Sequence, residues 1–535
     1  MPVNYGVPAY KDGIKQKVQT AFAGLNHTTG ASDGDIYFMQ NMTGDEYPVA
    51  CPRDRRAIIG TVGKPNGICY YDGLYYVDGT KFMRVRSGSE AADTELGTVS
   101  DSSKRFGCLG AYIIILPDKL CYNRLTGELS GIEVEWSGTA SFEDGTFAGE
   151  AAEGCRIVTA GDEFPFRVGD AVTISGADNE ANNQTIIVRE ISEDGKSLGF
   201  YENSFVNATG QSLTLKRSMP DLDFICENEN RLWGCKGDTI YASKPGDPFN
   251  WNVFDGLASD SYAVDVGSSG DFTGCVSYLG YPIFFKENRI YKVYGSKPSN
   301  FQVMSSATLG VLTGADRTLA VAGETLFYLS PVGVMAYTGG VPENISAAFG
   351  TMKFVGGSGG SDGVKYFASL TDDEGDISLY CYDTRIGSWH RQDNLDAVGF
   401  ARGEGDEFQG AFALGADGQL VRVSGNSQIP DSWNKEQDFG SVLEFADFVE
   451  KSPNRKFTSK ILIRAEVEDG ATLTVLLSTD SGEYMTVNTL TGRGKKSYYL
   501  PFAIRRCDHF RVKLVGNGFW RLLSLTRECA EGSPM

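Results

Sequence analysis

The sequence predicts an all-β chain: a β-propeller of six to eight blades, seven favoured, with an inserted small β-barrel domain and a C-terminal β-sandwich. Three observations carry this. Short runs rich in Tyr, Phe, Val and Ile recur along the chain, as strands require. They are separated by turns containing Gly, which supplies 65 of 535 residues, against a usual share of roughly 7%. Helical periodicity is nearly absent, with weak candidates only at 11–25 and 441–450.

The recurring module is clearest at 67–85, GICYYDGLYYVDGTKFMRV, which reads as three strands joined by a Gly turn and an Asp-Gly turn. Asp-Gly between apolar runs signals a hairpin, because a tight I′ turn needs positive φ at both central positions. Similar modules start at Phe106, Ile225, Ser277, Val321, Val364 and Phe408. Their central apolar pairs lie at Tyr75, Ile113, Leu232, Ile283, Leu326, Tyr366 and Ala411, giving intervals of 38, 119, 51, 43, 40 and 45 residues. One four-stranded blade takes roughly 40–50 residues. The long interval is therefore one blade plus an inserted domain.

The predicted boundaries follow from that arithmetic. Residues 1–65, rich in Gly, Asn and Pro, form an extended arm that must be tied down elsewhere. Residues 66–131 and 218–428 form the discontinuous propeller, and 132–217 the insert, whose apolar–polar alternation runs through Asp-Gly and Asn-Asn turns. A polar, Pro430-containing stretch from Asn426 reads as a linker. Residues 440–535 form the sandwich, built of long alternating strands such as KILIRAEV and HFRVKLVG. A run of hairpins also admits stacked sandwiches in place of a propeller.

Composition bounds the function. With 69 acidic and 49 basic residues the net charge is −20, which argues against gripping nucleic acid by neutralising phosphates. It suits solubility, or a surface past which DNA slides without sticking. The 11 cysteines, odd in number and without a C-x-x-C pair, read as free thiols made in a reducing cytoplasm. The N-terminal MPVNYGVPAYKDG lacks the apolar core of a signal peptide. The longest apolar run, AYIIIL, is too short to span a bilayer, so no membrane anchor is expected.

Chemistry is sparse. The only histidines are His27, His390 and His509, none with a second ligand at metal-binding spacing, and His390 reads as a turn or packing residue. No metal site, cofactor or catalytic residue is expected. STDSGEY (478–484) resembles the sialidase Asp-box S-x-D-x-G-x-x-W, but Tyr484 comes one place early and Met485 stands where Trp belongs. A hairpin turn capped by Asp480 explains it better. TDDEGD (371–376) and GADGQ (415–419) do not match a calcium loop and read as solvated turns. Basic clusters occur at 52–56 (PRDRR), 452–460, 493–496 and 504–513. The candidate contacts to a DNA channel or to a neighbouring acidic subunit are Arg493, Lys495, Lys496, Arg505, Arg506 and Arg511. Strand alternation predicts that Arg505, Arg506 and Arg511 do not all share one face.

Several strings, in order, carry a resemblance. NMTGDEYPVACPRDRR (41–56), NRLWGCKGDTIYASKPGDPFNW (230–251), FYLSPVGVMAYTGGVPENIS, LYCYDTRIGSWHRQDN and RCDHFRVKLVGNGFWRLLSLTRECAEGS (506–533) resemble segments of the tail nozzle or packaged-DNA stabilisation proteins of short-tailed bacteriophages. The likeness spans most of the chain outside the insert. It implies a structural virion protein rather than an enzyme, assembled in the host cytoplasm into a ring, hexameric in that family, around the tail's DNA channel. The partners it implies are further copies, adjacent tail or head–tail adaptor proteins, and double-stranded DNA passing without sequence-specific binding. The alternative is a tail-tip receptor-binding or glycan-hydrolysing propeller, for which paired carboxylates would be the signature.

Overall fold

Tyr112–Leu116 shows how the apolar runs are used. Ile113 and Ile115 pack against Tyr75, Val77 and Phe82 of the preceding sheet. Ile114 and Leu116 pack against Leu232 and Trp251 of the following one. Successive side chains leave a strand on opposite faces, so a strand covered on both sides must be apolar throughout. In the computed structural model, which describes residues 15–531 apart from 29, 89, 147–152, 201–204, 406, 425–428, 431, 451–454, 493 and 501–505, this arrangement recurs sheet after sheet. The chain is all-β, with sheets of β-propeller type.

It divides into two compact units. The contiguous unit, Gly63–Asp316, holds four antiparallel meanders at 65–98, 105–131, 224–265 and 274–306, each with its four strands in sequence order. Successive members pack face to face, the third on the fourth through Trp233, Ile240, Phe284 and Tyr291. At the Asp78–Gly79 hairpin Asp78 pairs with Lys81, so the central residues are Gly79 and Thr80, and Gly79 alone takes a left-handed φ, 57°, in place of the I′ turn expected through Asp78 and Gly79.

The described residues within 134–217 of this unit form a seven-stranded antiparallel sheet. Ile186 from one edge strand and Ile191 from the other border the same core as Trp136 and Phe142, so the sheet is rolled. The PGDPFNW string fastens it down. Asp247 accepts from the Phe249 N–H (2.9 Å) and from Asn250 Nδ2 (2.7 Å), holding the turn. Asn250 Oδ1 then accepts from the Ala171 N–H at 2.8 Å. Beside it, Arg217 donates to Asp170 at 2.6 Å, both side chains being buried.

The other unit comprises Met1–Val62 and Arg317–Met535. Two four-stranded meanders lie at 320–344 and 354–391, and a third at 397–422 has only three local strands. Its next strand is Ala57–Thr61, which pairs with Gln419–Arg422 and also with Asn434–Lys435. The sandwich likewise draws on distant chain. One sheet orders Lys15–Gln19, Trp520–Glu531, Lys456–Val467 and Gly494–Tyr499; the other orders Ile36–Gln40, Gly440–Phe445, Phe510–Asn517, Thr472–Thr479 and Met485–Thr491. Ile461, Ile463, Ala465 and Val467 alternate inward and are fully buried. Trp520 of the first sheet donates its indole N–H to Ser441 of the second at 2.8 Å.

Two expectations are corrected here. The helix candidates at 11–25 and 441–450 overlap the strands Lys15–Gln19 and Gly440–Phe445, where ladder pairing overrides a weak helical period. The expected linker carries the buried Trp433 and the ion-paired Glu436. Described residues of the stretch read as an arm supply strands to two sheets of the sandwich and to one meander.

Candidate functional site

Arg53 and Arg56 lie in the basic string PRDRR, yet both are buried, each about 6% exposed. Arg53 donates two bonds to Glu436 (2.7 and 2.9 Å), one to Asp393 (3.2 Å) and one to Asn41 (3.0 Å). Arg56 clasps Asp393 in a bidentate pair (2.6 and 3.1 Å) and donates to Gln392 at 2.9 Å. Asn41 Nδ2 donates to the Gly440 carbonyl, tying the cluster to a sandwich strand. Burial would raise the carboxyl pKa values of Asp393 and Glu436. The Arg53 and Arg56 guanidiniums overcome that and hold both below the ordinary range. Charge removed from water on this scale is tolerated only when paired and hydrogen-bonded.

Above the cluster opens a cleft of about 910 Å³, lined among others by Arg53, Arg55, Arg422, Phe439, Glu468 and Arg521. Two cations are matched within the chain: Arg55 pairs with Asp438, and Arg521 with Glu46. Arg53 and Arg521 also stack over Phe439 and Phe519, at 4.1 and 4.6 Å. The cleft thus offers paired charges and aromatic faces at the joint between the 397–422 meander and the sandwich.

Among the described residues, the basic ones singled out from sequence do not converge. Lys495 and Lys496 are exposed on Gly494–Tyr499, a strand that pairs with Lys456–Val467. Arg506 is exposed before the other sheet's strand Phe510–Asn517. Arg511, on that strand, is committed internally. It donates two 3.0 Å bonds to Asp447 and one of 3.2 Å to Glu444, and lies 5.1 Å over the Tyr37 ring. Arg493 and Arg505 lie outside the described residues.

The histidines have three different settings. His27 stacks on Tyr37 and bonds its carbonyl at 3.1 Å. His390 is 4% exposed; burial, with Lys365 adding to it, depresses its pKa to about 4. His509 faces the tip of a hairpin, its Nε2 2.8 Å from Ser481 Oγ and its Nδ1 3.1 Å from Asp508 Oδ2. None of the 11 cysteines forms a disulfide, and burial pushes Cys51, Cys108, Cys121 and Cys381 up to about 12, so these thiols stay protonated.

The sequence marked the 478–484 hairpin turn and the 52–56 basic string, but not the side chains that meet at either. For the arginine cluster the available signal was two arginines three apart in a stretch dense with Tyr, Pro and Cys. For the hairpin it was Asp-Ser at two turn positions where Asn-Gly is usual. No family model and no curated protein matches the chain. Solved structures with local likeness include an exo-beta-1,3-galactanase from Phanerochaete chrysosporium (10% identity, TM-score 0.22, covering 57% of this chain and 95% of that one). Hsv2 from Kluyvelomyces marxianus is similar at 8% identity and TM-score 0.29, covering 73% and 94%. The phage phi92 endosialidase is similar at 10% identity and TM-score 0.22, covering 75% and 65%. Such low scores carry no argument about function, and the fold rests on the chain's own strand pairing. Among the described residues no helix is long and apolar enough to cross a membrane.

Proposed function

We propose that this chain is a structural subunit of a bacteriophage tail, acting in the virion and assembling with its own copies as a ring around the DNA channel. There it retains packaged DNA and conducts it during ejection, flanked by other tail or head–tail adaptor proteins. The observation that carries the reading is the sewing of residues 15–61 into both the sandwich and the 397–422 meander, with the Arg53–Arg56–Asp393–Glu436 cluster at the joint. A pull along these strands loads many ladder bonds in parallel rather than peeling them singly, which suits a part held under pressure. The net charge of −20 supports the conduit role, since like charge keeps a sliding duplex from sticking. The ordered strings that resemble segments of short-tailed phage nozzle proteins point to the virion context.

Negative-stain imaging of the purified chain tests the proposal. Rings with a central channel wide enough for a DNA duplex are the expected result. A strict monomer that cleaves a glycan overturns it in favour of a tail-tip hydrolase.

A further inference from the structure

The hairpin joining Thr472–Thr479 to Met485–Thr491 turns through Asp480 and Ser481, both in the left-handed region at φ 49° and 57°. Gly, Asn or Asp is the residue of least strain at such positions, so Asp480 suits the first of them and Ser481 accepts the strain at the second. Both side chains are engaged. The Asp480 carboxylate accepts from the backbone N–H groups of Asp508 (2.7 Å) and His509 (3.4 Å), while the Asp480 N–H donates to the His509 carbonyl at 3.0 Å. These bonds hold the hairpin tip against 508–509. The result is a chain of three side chains: Ser481 Oγ, His509 Nε2 at 2.8 Å, then His509 Nδ1 and Asp508 Oδ2 at 3.1 Å.

We propose that Ser481, His509 and Asp508 form a hydrolytic triad, in which Ser481 is a nucleophile toward small carboxylic esters. The bond to Asp508 makes Nδ1 the protonated nitrogen and leaves Nε2 to accept the Ser481 hydroxyl proton, as a general base must. Ser481 is exposed at the hairpin tip, and the His509 side chain is about 20% exposed, so the nucleophile faces solvent with its base shielded behind it. Left-handed backbone at the serine is also how a nucleophile is thrust out of its turn. In the first step Ser481 Oγ bonds to the acyl carbon and its proton passes to Nε2. The ester C–O bond then breaks, and the departing alcohol takes that proton. Water next attacks the acyl-serine, giving its proton to Nε2. That proton returns to Ser481 Oγ as the carboxylic acid leaves. Asp508 and Asp480 are positioning residues, one for the imidazole and one for the whole tip.

The inference is independent of ring assembly, since it concerns bond chemistry at one hairpin. Its test is the rate at which a fluorophosphonate probe labels Ser481 on the full chain, located by peptide mass spectrometry, with release of nitrophenol from p-nitrophenyl acetate as the second readout. His509→Ala is expected to slow labelling about 10²–10⁴-fold, the range for loss of a general base. Asp508→Asn should slow it at least about 100-fold by freeing the wrong tautomer, and Asp508→Glu should recover most of that loss. Ser481→Gly, which suits the positive φ, should keep the thermal midpoint and lose both readouts. Ser478→Ala, whose hydroxyl bonds the Gly482 carbonyl within the same turn, should keep them. Failure of the probe to reach Ser481 in the native chain overturns the triad. Labelling that His509→Ala leaves unchanged reduces these contacts to turn packing and equally overturns it.

Discussion

Asp393 answers to two guanidiniums at once, and its removal should be felt far beyond one contact. Asp393→Ala leaves Arg56 buried without its bidentate partner, and stranding a buried charge costs about 3–5 kcal/mol. Urea unfolding should show that loss, with Arg55→Ala, at an exposed pair, changing stability by less than about 1 kcal/mol. His390 predicts a pH dependence of definite sign. Its folded pKa of about 4 lies below the ordinary 6.5, so the unfolded chain takes up the proton first. Stability should therefore fall as pH drops from about 6.5 to about 4, by at most about 3 kcal/mol, then level off for this group. His390→Gln should flatten that slope in denaturation midpoints. Asp45, Asp383, Asp393 and Glu436 act in a lower window. Their folded values are depressed, so their contribution holds above the unfolded values near 4 and is lost as pH falls through the folded ones. Little of this was legible in sequence. Arg53 and Arg55 look alike as letters, and only the acids brought in from Asp393 and Glu436 make one a core residue and the other a surface one.

At the scale of elements the sequence was more informative. The seven anchor positions, Tyr75 through Ala411, all lie on the second strand of their sheets, because that strand is covered on both faces and reads as an unbroken apolar run. Local alternation cannot record a partner hundreds of residues away. Hence Lys15–Gln19 and Ile36–Gln40, each only five residues long, read as arm, though each is hydrogen-bonded to a sandwich strand. The sheet at 134–217 yields a further prediction. Asp170→Ala breaks its buried pair with Arg217 and its link to Asn250. Hydrogen exchange should then show Ala171–Ser175 and Thr185–Ile187 losing protection, while Phe224–Asn228 and Arg231–Lys236 keep theirs.

For the whole molecule, charge and connectivity set the expectations. At −20 the chain should not retard double-stranded DNA in a gel-shift assay even at about 50 mM salt, conditions that favour non-specific phosphate binding. Retention that weakens steeply with added salt would contradict the sliding-surface reading. Connectivity also has a temporal side. Asn41 and Gly440, hydrogen-bonded in the finished sandwich, stand 399 positions apart. At about 5–20 residues per second a ribosome needs about 20–80 s to make the second after the first. The unit at Gly63–Asp316 is contiguous and can close while translation continues. The strands made ahead of it must wait, unpaired and open to chaperones or to strands of a neighbouring nascent chain, until the sandwich that claims them has left the tunnel.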